Sequence, residues 1–97
     1  MQISIQRSSR ANKKYMANVG DKTVHFGASG YQDYTTHGDE ERKASYLARH
    51  RTTENWTSSG VNTAGFWARW LLWNEPSLSA SVADVNRRFK TLSVKMR

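Results

Sequence analysis

Three histidines and eight carboxylates are the side chains of this sequence from which a catalytic or metal-binding centre could be built. His37, Asp39 and His50 would give the His–Asp–His set of a nuclease or metal centre, and Asp33, Asp39 and Glu54 are the carboxylates that could hold Mg²⁺. Neither set has ligand spacing: there is no HExxH and no HxH. The serines and threonines form no GxSxG. The glycines of "GASGYQDYTTHGD" (27–39) match neither GxxxxGK[ST] nor GxGxxG, so no phosphate loop is encoded there. The chain has no cysteine, which removes disulfides and thiolate-bound zinc or iron–sulfur centres. The residues therefore point to a protein without catalytic residues, metal or cofactor. A metal-dependent nuclease is the alternative that the histidines and carboxylates keep open.

Positive charge is the stronger chemical signal. In "DEERKASYLARHR" (39–51), Arg42, Lys43, Tyr46, Arg49 and His50 fall within roughly 120° of a helical wheel, with Ala44, Leu47 and Ala48 opposite. Arg and Lys neutralise phosphates, and Tyr hydrogen-bonds or stacks on a base. Arg51, Lys13 and Lys14, with Arg7 and Arg10, extend such a patch if the fold brings them near. In the competing reading these are solvated charges paired with Glu40 and Glu41, and Tyr46 supplements the thin apolar side of the helix. A second cluster, "NRRFK", is partly neutralised by Asp84 four residues before Arg88.

The bulk numbers agree with a polyanionic partner. Fifteen Lys and Arg oppose eight Asp and Glu, for a net charge of +7 and an isoelectric point near 10.2. That bias suits nucleic acid or an acidic protein surface. No stretch approaches the roughly 20 apolar residues of a membrane span, and "MQISIQRSSR" lacks the apolar run of a secretory signal. The expectation is a protein that is neither secreted nor bound to a membrane.

The elements that must position these charges read as one α+β domain over residues 1–97. Ile3 and Ile5 alternate with polar residues in an N-terminal strand and loop (1–12). Residues 13–27 read as a β-hairpin, with Gly20-Asp21 as a type II′ turn. Residues 27–39 form an ordered loop anchored by Tyr31 and Tyr34. The helical part spans 39–92: the basic helix, a Trp-rich helix capped by Asn62 or Thr63, and a third helix opened by Pro76 and Ser77. Leu78, Val82, Val85, Phe89 and Leu92 draw one apolar stripe down the third helix over 78–92, after which "SVKMR" frays. The predicted architecture is an antiparallel hairpin or three-stranded sheet packed on three helices.

"GFWARWLLW" (65–73) places three tryptophans and a phenylalanine in nine positions. On a wheel Phe66, Trp70 and Trp73 cluster within about 60°, Trp67 and Leu71 continue the arc, and Leu72 lies near the far side. A helix apolar almost all round is a buried one, and only 37% of this chain is hydrophobic, at a mean hydropathy of −0.79. The run is therefore predicted to fill the core, with Trp56 tucked beside it and loops supplying partners for the indole N–H groups.

The segments "KTVHFGASGYQDYTTHGDEERKASYLARHR" and "TAGFWARWLLWNEPSL" together resemble a family of short uncharacterised proteins of large DNA viruses of algae and amoebae and of related environmental sequences. The resemblance runs over residues 13–90 through HFG, GY.DYT.H, RK..YL.RH and GFW.RWLLWN. It implies a viral setting, in the particle or inside the infected cell, and carries no functional residue with it. The leading expectation is a small non-enzymatic viral protein that binds DNA or RNA, mainly through backbone phosphates, with the face of helix 42–50 as the main contact. The alternative is a minor virion or assembly component that binds an acidic protein surface.

Overall fold

Ile3 and Ile5 lie two positions apart on a strand, so both point to one side and need a second layer to bury them. In the computed structural model, which describes residues 1–97, that layer is helical. Strands β1 (Gln2–Arg7), β2 (Lys13–Val19) and β3 (Lys22–Ala28) form an antiparallel meander. Its register sets Ile3 opposite Val19, Ile5 opposite Ala17, Ala17 opposite Val24 and Tyr15 opposite Phe26, an apolar block on one face. At the β2–β3 turn Gly20 has φ +61° and Asp21 is not left-handed. A type II′ turn requires a positive φ at its first central residue alone.

The helices are α1 (Tyr34–His37), α2 (Glu40–His50), α3 (Ala64–Trp67) and α4 (Leu78–Arg88). Each of the three expected helices starts on a side-chain cap. Asp39 Oδ1 accepts from the Glu41 and Arg42 amides, Thr63 Oγ1 from Phe66, and Ser77 Oγ from Ala80. The acids of α2 stand in its first turn and Arg49 and His50 in its last, which matches the helix dipole.

The tryptophan run does fill the core. Phe66, Trp67 and Leu71 are fully buried against Ile5, Phe26 and Val85, and Trp56 packs half-buried beside them. Two of the indoles find backbone partners, Trp67 Nε1 donating to Val61 O at 2.7 Å and Trp70 Nε1 to Trp56 O at 2.9 Å, whereas Trp56 Nε1 is buried without a hydrogen-bond partner, contrary to expectation. After Trp67 the helix widens into a π-helical turn, Ala68–Leu72, closed by Trp73 N on Ala68 O at 3.1 Å. The wider turn rotates the residues at its end away from their places on an ideal α-helical wheel. Leu72, expected near the far side, is buried against Gly27 of β3, and Trp73 turns to α2.

Other expectations need correction. Residues 93–97 do not fray: Ser93–Met96 form β4, parallel to β1 and adding a fourth strand to the sheet, whose order is β3-β2-β1-β4. Val94 is buried opposite Ile3, and the Asn86 side chain holds its backbone, accepting from Val94 N at 2.7 Å and donating to Val94 O at 3.0 Å. The same clamp explains why α4 stops at Arg88 and not at 92. Phe89 turns extended, at φ −111° and ψ 90°, and the chain reverses to bury Leu92 and to bring Val94 into the sheet beside β1. The α+β class holds, with a mixed four-stranded sheet and four helices in place of three strands and three helices. In the 27–39 loop Tyr34 is buried, but Tyr31 is 75% exposed and anchors nothing. The additional helix, α1, is a single turn closed by Asp33 N donating to Thr36 Oγ1 at 2.9 Å.

Candidate functional site

Two grooves adjoin at Asp33, the residue that precedes α1. The larger, about 790 Å³, lies between α2, the end of β3 and the π-helical turn; the smaller, about 450 Å³, lies between the β1–β2 loop, the turn at Ser29-Gly30 and α1. Lys14 and Asp33 line both, and their ion pair, Nζ to Oδ2 at 2.5 Å, stands where the grooves adjoin.

The five residues of the α2 face divide into two groups. Arg42, Arg49 and His50 line the larger groove, and the edge of Tyr46 reaches its lining as well. Arg49 is exposed and unpaired, whereas Arg42 donates to Gln32 Oε1 at 3.0 Å. Lys43 and Tyr46 instead fasten the helix. Lys43 Nζ donates to Asn74 O at 2.6 Å and lies 4.7 Å from the centre of the Tyr34 ring. Tyr46 is 9% exposed, stacked parallel on Trp73 at 4.3 Å, with the His50 ring on it at 4.4 Å. Burial, with the Glu54 carboxylate nearby, pushes its hydroxyl up to about 12. Both ring faces are in use, so Tyr46 offers no platform to a base. Arg51 caps the helix, exposed and without an ion pair.

The charge of the larger groove is mixed. Asp33, Asp39 and Glu41 line it with Lys14, Arg42 and Arg49. The smaller groove is more one-sided: Arg7, Arg10, Lys13 and Lys14 line it, and Asp33 is its single carboxylate. Arg7 and Arg10 gain a prominence here that the sequence alone gave to α2. The readable signal was strand parity. Arg7 continues the inward alternation of Ile3 and Ile5, and Lys13 that of Tyr15, Ala17 and Val19.

The histidines do not assemble. His37 Nδ1 accepts from the Asp39 backbone at 2.9 Å, His50 lies on Tyr46, and His25 Nδ1 shares a hydrogen with Ser8 Oγ at 2.7 Å on the β-sheet. No three His, Asp or Glu side chains come together in a group able to hold a metal ion. Away from the grooves, Asp84 gathers Arg87 and Arg88 at 3.2 and 3.1 Å and accepts from Asn74 Nδ2 at 2.8 Å. Burial alone would raise its carboxyl. The hydrogen bonds from Asn74 and Arg88, with the charges of Arg88 and Arg87, outweigh it and hold the group below the usual range. The Arg88 guanidinium lies over Trp70 at 4.6 Å and Arg69 over the same ring at 4.2 Å, so this second basic cluster is bound into the fold.

Residues 3–50 match the model of a family of unknown function (DUF5754). The match runs from β1 through α2, so it takes in the cationic walls of both grooves and ends before the tryptophan run. No curated protein and no solved structure matches the chain. No helix is long and apolar enough to cross a membrane.

Proposed function

We propose that this protein binds nucleic acid without catalysis, by its phosphate backbone, across the two adjoining grooves. The observation that carries the reading is a set of cations that make no ion pair: Arg7, Arg10 and Lys13 in the smaller groove, Arg49 in the larger and Arg51 at the end of α2, with Arg42 of the larger groove held only by a neutral amide. The chain's ion pairs engage Lys14, Arg87 and Arg88 instead. Lys13, Arg42, Arg49, His50 and Arg51 remain the contacts that the sequence suggested. Lys14 orders the junction between the grooves, and Lys43 and Tyr46 hold α2 in place.

Phosphate contact fits better than base stacking. Tyr15 and Phe26 point into the core, and the other face of the sheet presents Ser4, Gln6, Met16, Asn18 and His25. A sheet that reads single strands carries aromatics there. The resemblance to proteins of large DNA viruses would set this activity in the virion or the infected cell. A second reading, docking on an acidic protein surface, draws on Tyr31, exposed on the lining of the larger groove beside Arg42.

A low-salt mobility shift with a short duplex separates these readings. Arg42→Glu with Arg49→Glu should abolish retention while the circular dichroism spectrum stays native. Undiminished retention by the folded double variant refutes the α2 contact, and a wild-type protein that retains no duplex leaves the acidic-surface reading.

A further inference from the structure

The smaller groove differs in kind from the larger. Arg7 and Lys13 leave the sheet on the side that elsewhere buries Ile5 and Ala17, but at this end the core has stopped. They open into the groove, where Arg10 of the β1–β2 loop joins them. None of the three makes an ion pair, and none of their side chains makes a hydrogen bond within the chain. The one carboxylate present is committed: Asp33 holds Lys14 Nζ and accepts from the Thr35 hydroxyl. The Thr36 hydroxyl is committed too, to the Asp33 carbonyl at 2.7 Å. Three full charges of one sign thus share a concavity of about 450 Å³ with no free counter-charge.

Such a cluster is self-repelling, and an anion that enters it is attracted by all three. A backbone phosphodiester brings one negative charge. A phosphomonoester brings close to two near neutral pH, with three acceptor oxygens for Arg and Lys donors. The volume suits a phosphate with a sugar or nucleoside attached, toward the small end of ligand pockets. The positive field is also felt nearby: loss of hydration, then Arg10 and Lys13, hold the His25 imidazole below its usual range.

We infer that the groove formed by Arg7, Arg10 and Lys13 is a phosphomonoester site. Resting on the nucleic-acid reading, its ligand is the phosphorylated end of a strand whose following phosphates run past Lys14 toward Arg42 and Arg49. A free small phosphoester presents the same chemistry, and the experiment separates the two sources.

Binding is measured by fluorescence anisotropy on two hairpin duplexes of one sequence, one 5′-phosphorylated and one 5′-hydroxyl, with inorganic phosphate and adenosine monophosphate as competitors. The wild-type protein should prefer the phosphorylated end by about tenfold, the size expected of one additional charge-assisted contact. Arg10→Ala with Lys13→Ala should remove that preference, whereas Arg42→Ala with Arg49→Ala should weaken both duplexes and keep it. Both residues of the first pair lie outside the core, so the variant should fold, which its melting curve checks. Equal binding of the two duplexes, with no competition by either phosphate, overturns the site and leaves backbone binding standing. Saturable binding of adenosine monophosphate that needs Arg10 and Lys13, with no binding of either duplex, overturns the nucleic-acid reading and assigns the groove to a free phosphoester.

Discussion

Replacing Tyr46 tests the division of α2 into fastening and contacting residues. The ring is 9% exposed and lies flat on Trp73, with 3° between the ring planes at 4.3 Å. Truncating a buried aromatic to Ala costs about 3–5 kcal/mol, and a ring at the edge of the core belongs near the lower figure. For a domain of this length each kcal/mol moves the melting temperature by roughly 4–8 °C, so Tyr46→Ala should melt about 12–24 °C below wild type. Of that loss, about 1 kcal/mol is the aromatic pair itself, measurable as the coupling term of a double-mutant cycle with Trp73→Ala. Arg49→Ala, on the same helix face but exposed and unpaired, should change stability by no more than about 0.5 kcal/mol. Urea melts followed by circular dichroism give all four values. The reasoning fails if Tyr46→Ala melts with the wild type yet loses duplex binding, because the ring would then be a contact and not a fastening.

Gly27 has φ +79°, and a β-carbon there would stand 2.7 Å from Leu72 Cδ1, so Gly27→Ala should cost about 2 kcal/mol or more in a thermal melt. Gly20→Ala meets no neighbour and should suffer only from its own positive φ. Val94→Asp sets a carboxylate opposite Ile3 and should lower stability by several kcal/mol, whereas a fraying tail would leave the melt unchanged. Asp84 has its carboxyl held below the usual range in the folded state, so its contribution is complete above the unfolded value of about 3.8 and fades as pH falls through the folded one. Acid melts of wild type and Asp84→Asn should therefore converge at the lowest pH. Tyr46 behaves in the opposite sense. Its hydroxyl ordinarily titrates near 10.0 and is pushed up to about 12, so the folded protein keeps a proton the unfolded chain loses, and stability declines as pH climbs between the two.

The parts of the fold legible in the sequence were those governed by local periodicity. Alternation exposed β1 and the hairpin, the one-sided wheel of basic residues marked α2, caps and openings marked α3 and α4, and the dense aromatics of 65–73 declared a buried helix. The features that escaped depended on distant partners. Val94 is one apolar residue in a polar tail, and nothing local says that Asn86 will clamp it beside β1. Leu72 and Trp73 moved because a π-helical turn changed the phase of the wheel, which a fixed 100° per residue does not anticipate.

The candidate site was legible to the same degree. The wheel placed Arg42, Lys43, Tyr46, Arg49 and His50 on one side of α2, but a wheel does not say what stands opposite. The π-helical turn and its C-terminal residues put Trp73 and Asn74 there, and these take up Tyr46 and Lys43. Arg7 and Lys13 sat in view as charges at inward strand positions. Their meaning depended on where the helical cover ends, which is a property of the packed chain.

The claim on which the account depends is that the unpaired cations around the grooves meet phosphates, and the salt dependence of duplex binding measures it directly. Each neutralised phosphate lowers log K by about 0.9 per decade of salt. If most of Arg7, Arg10, Lys13, Arg42, Arg49 and Arg51 engage, the wild-type slope should be roughly −4 to −5, and Arg42→Ala with Arg49→Ala should make it shallower by about 2. A wild-type slope near zero, or one that the double variant leaves unchanged, contradicts the account.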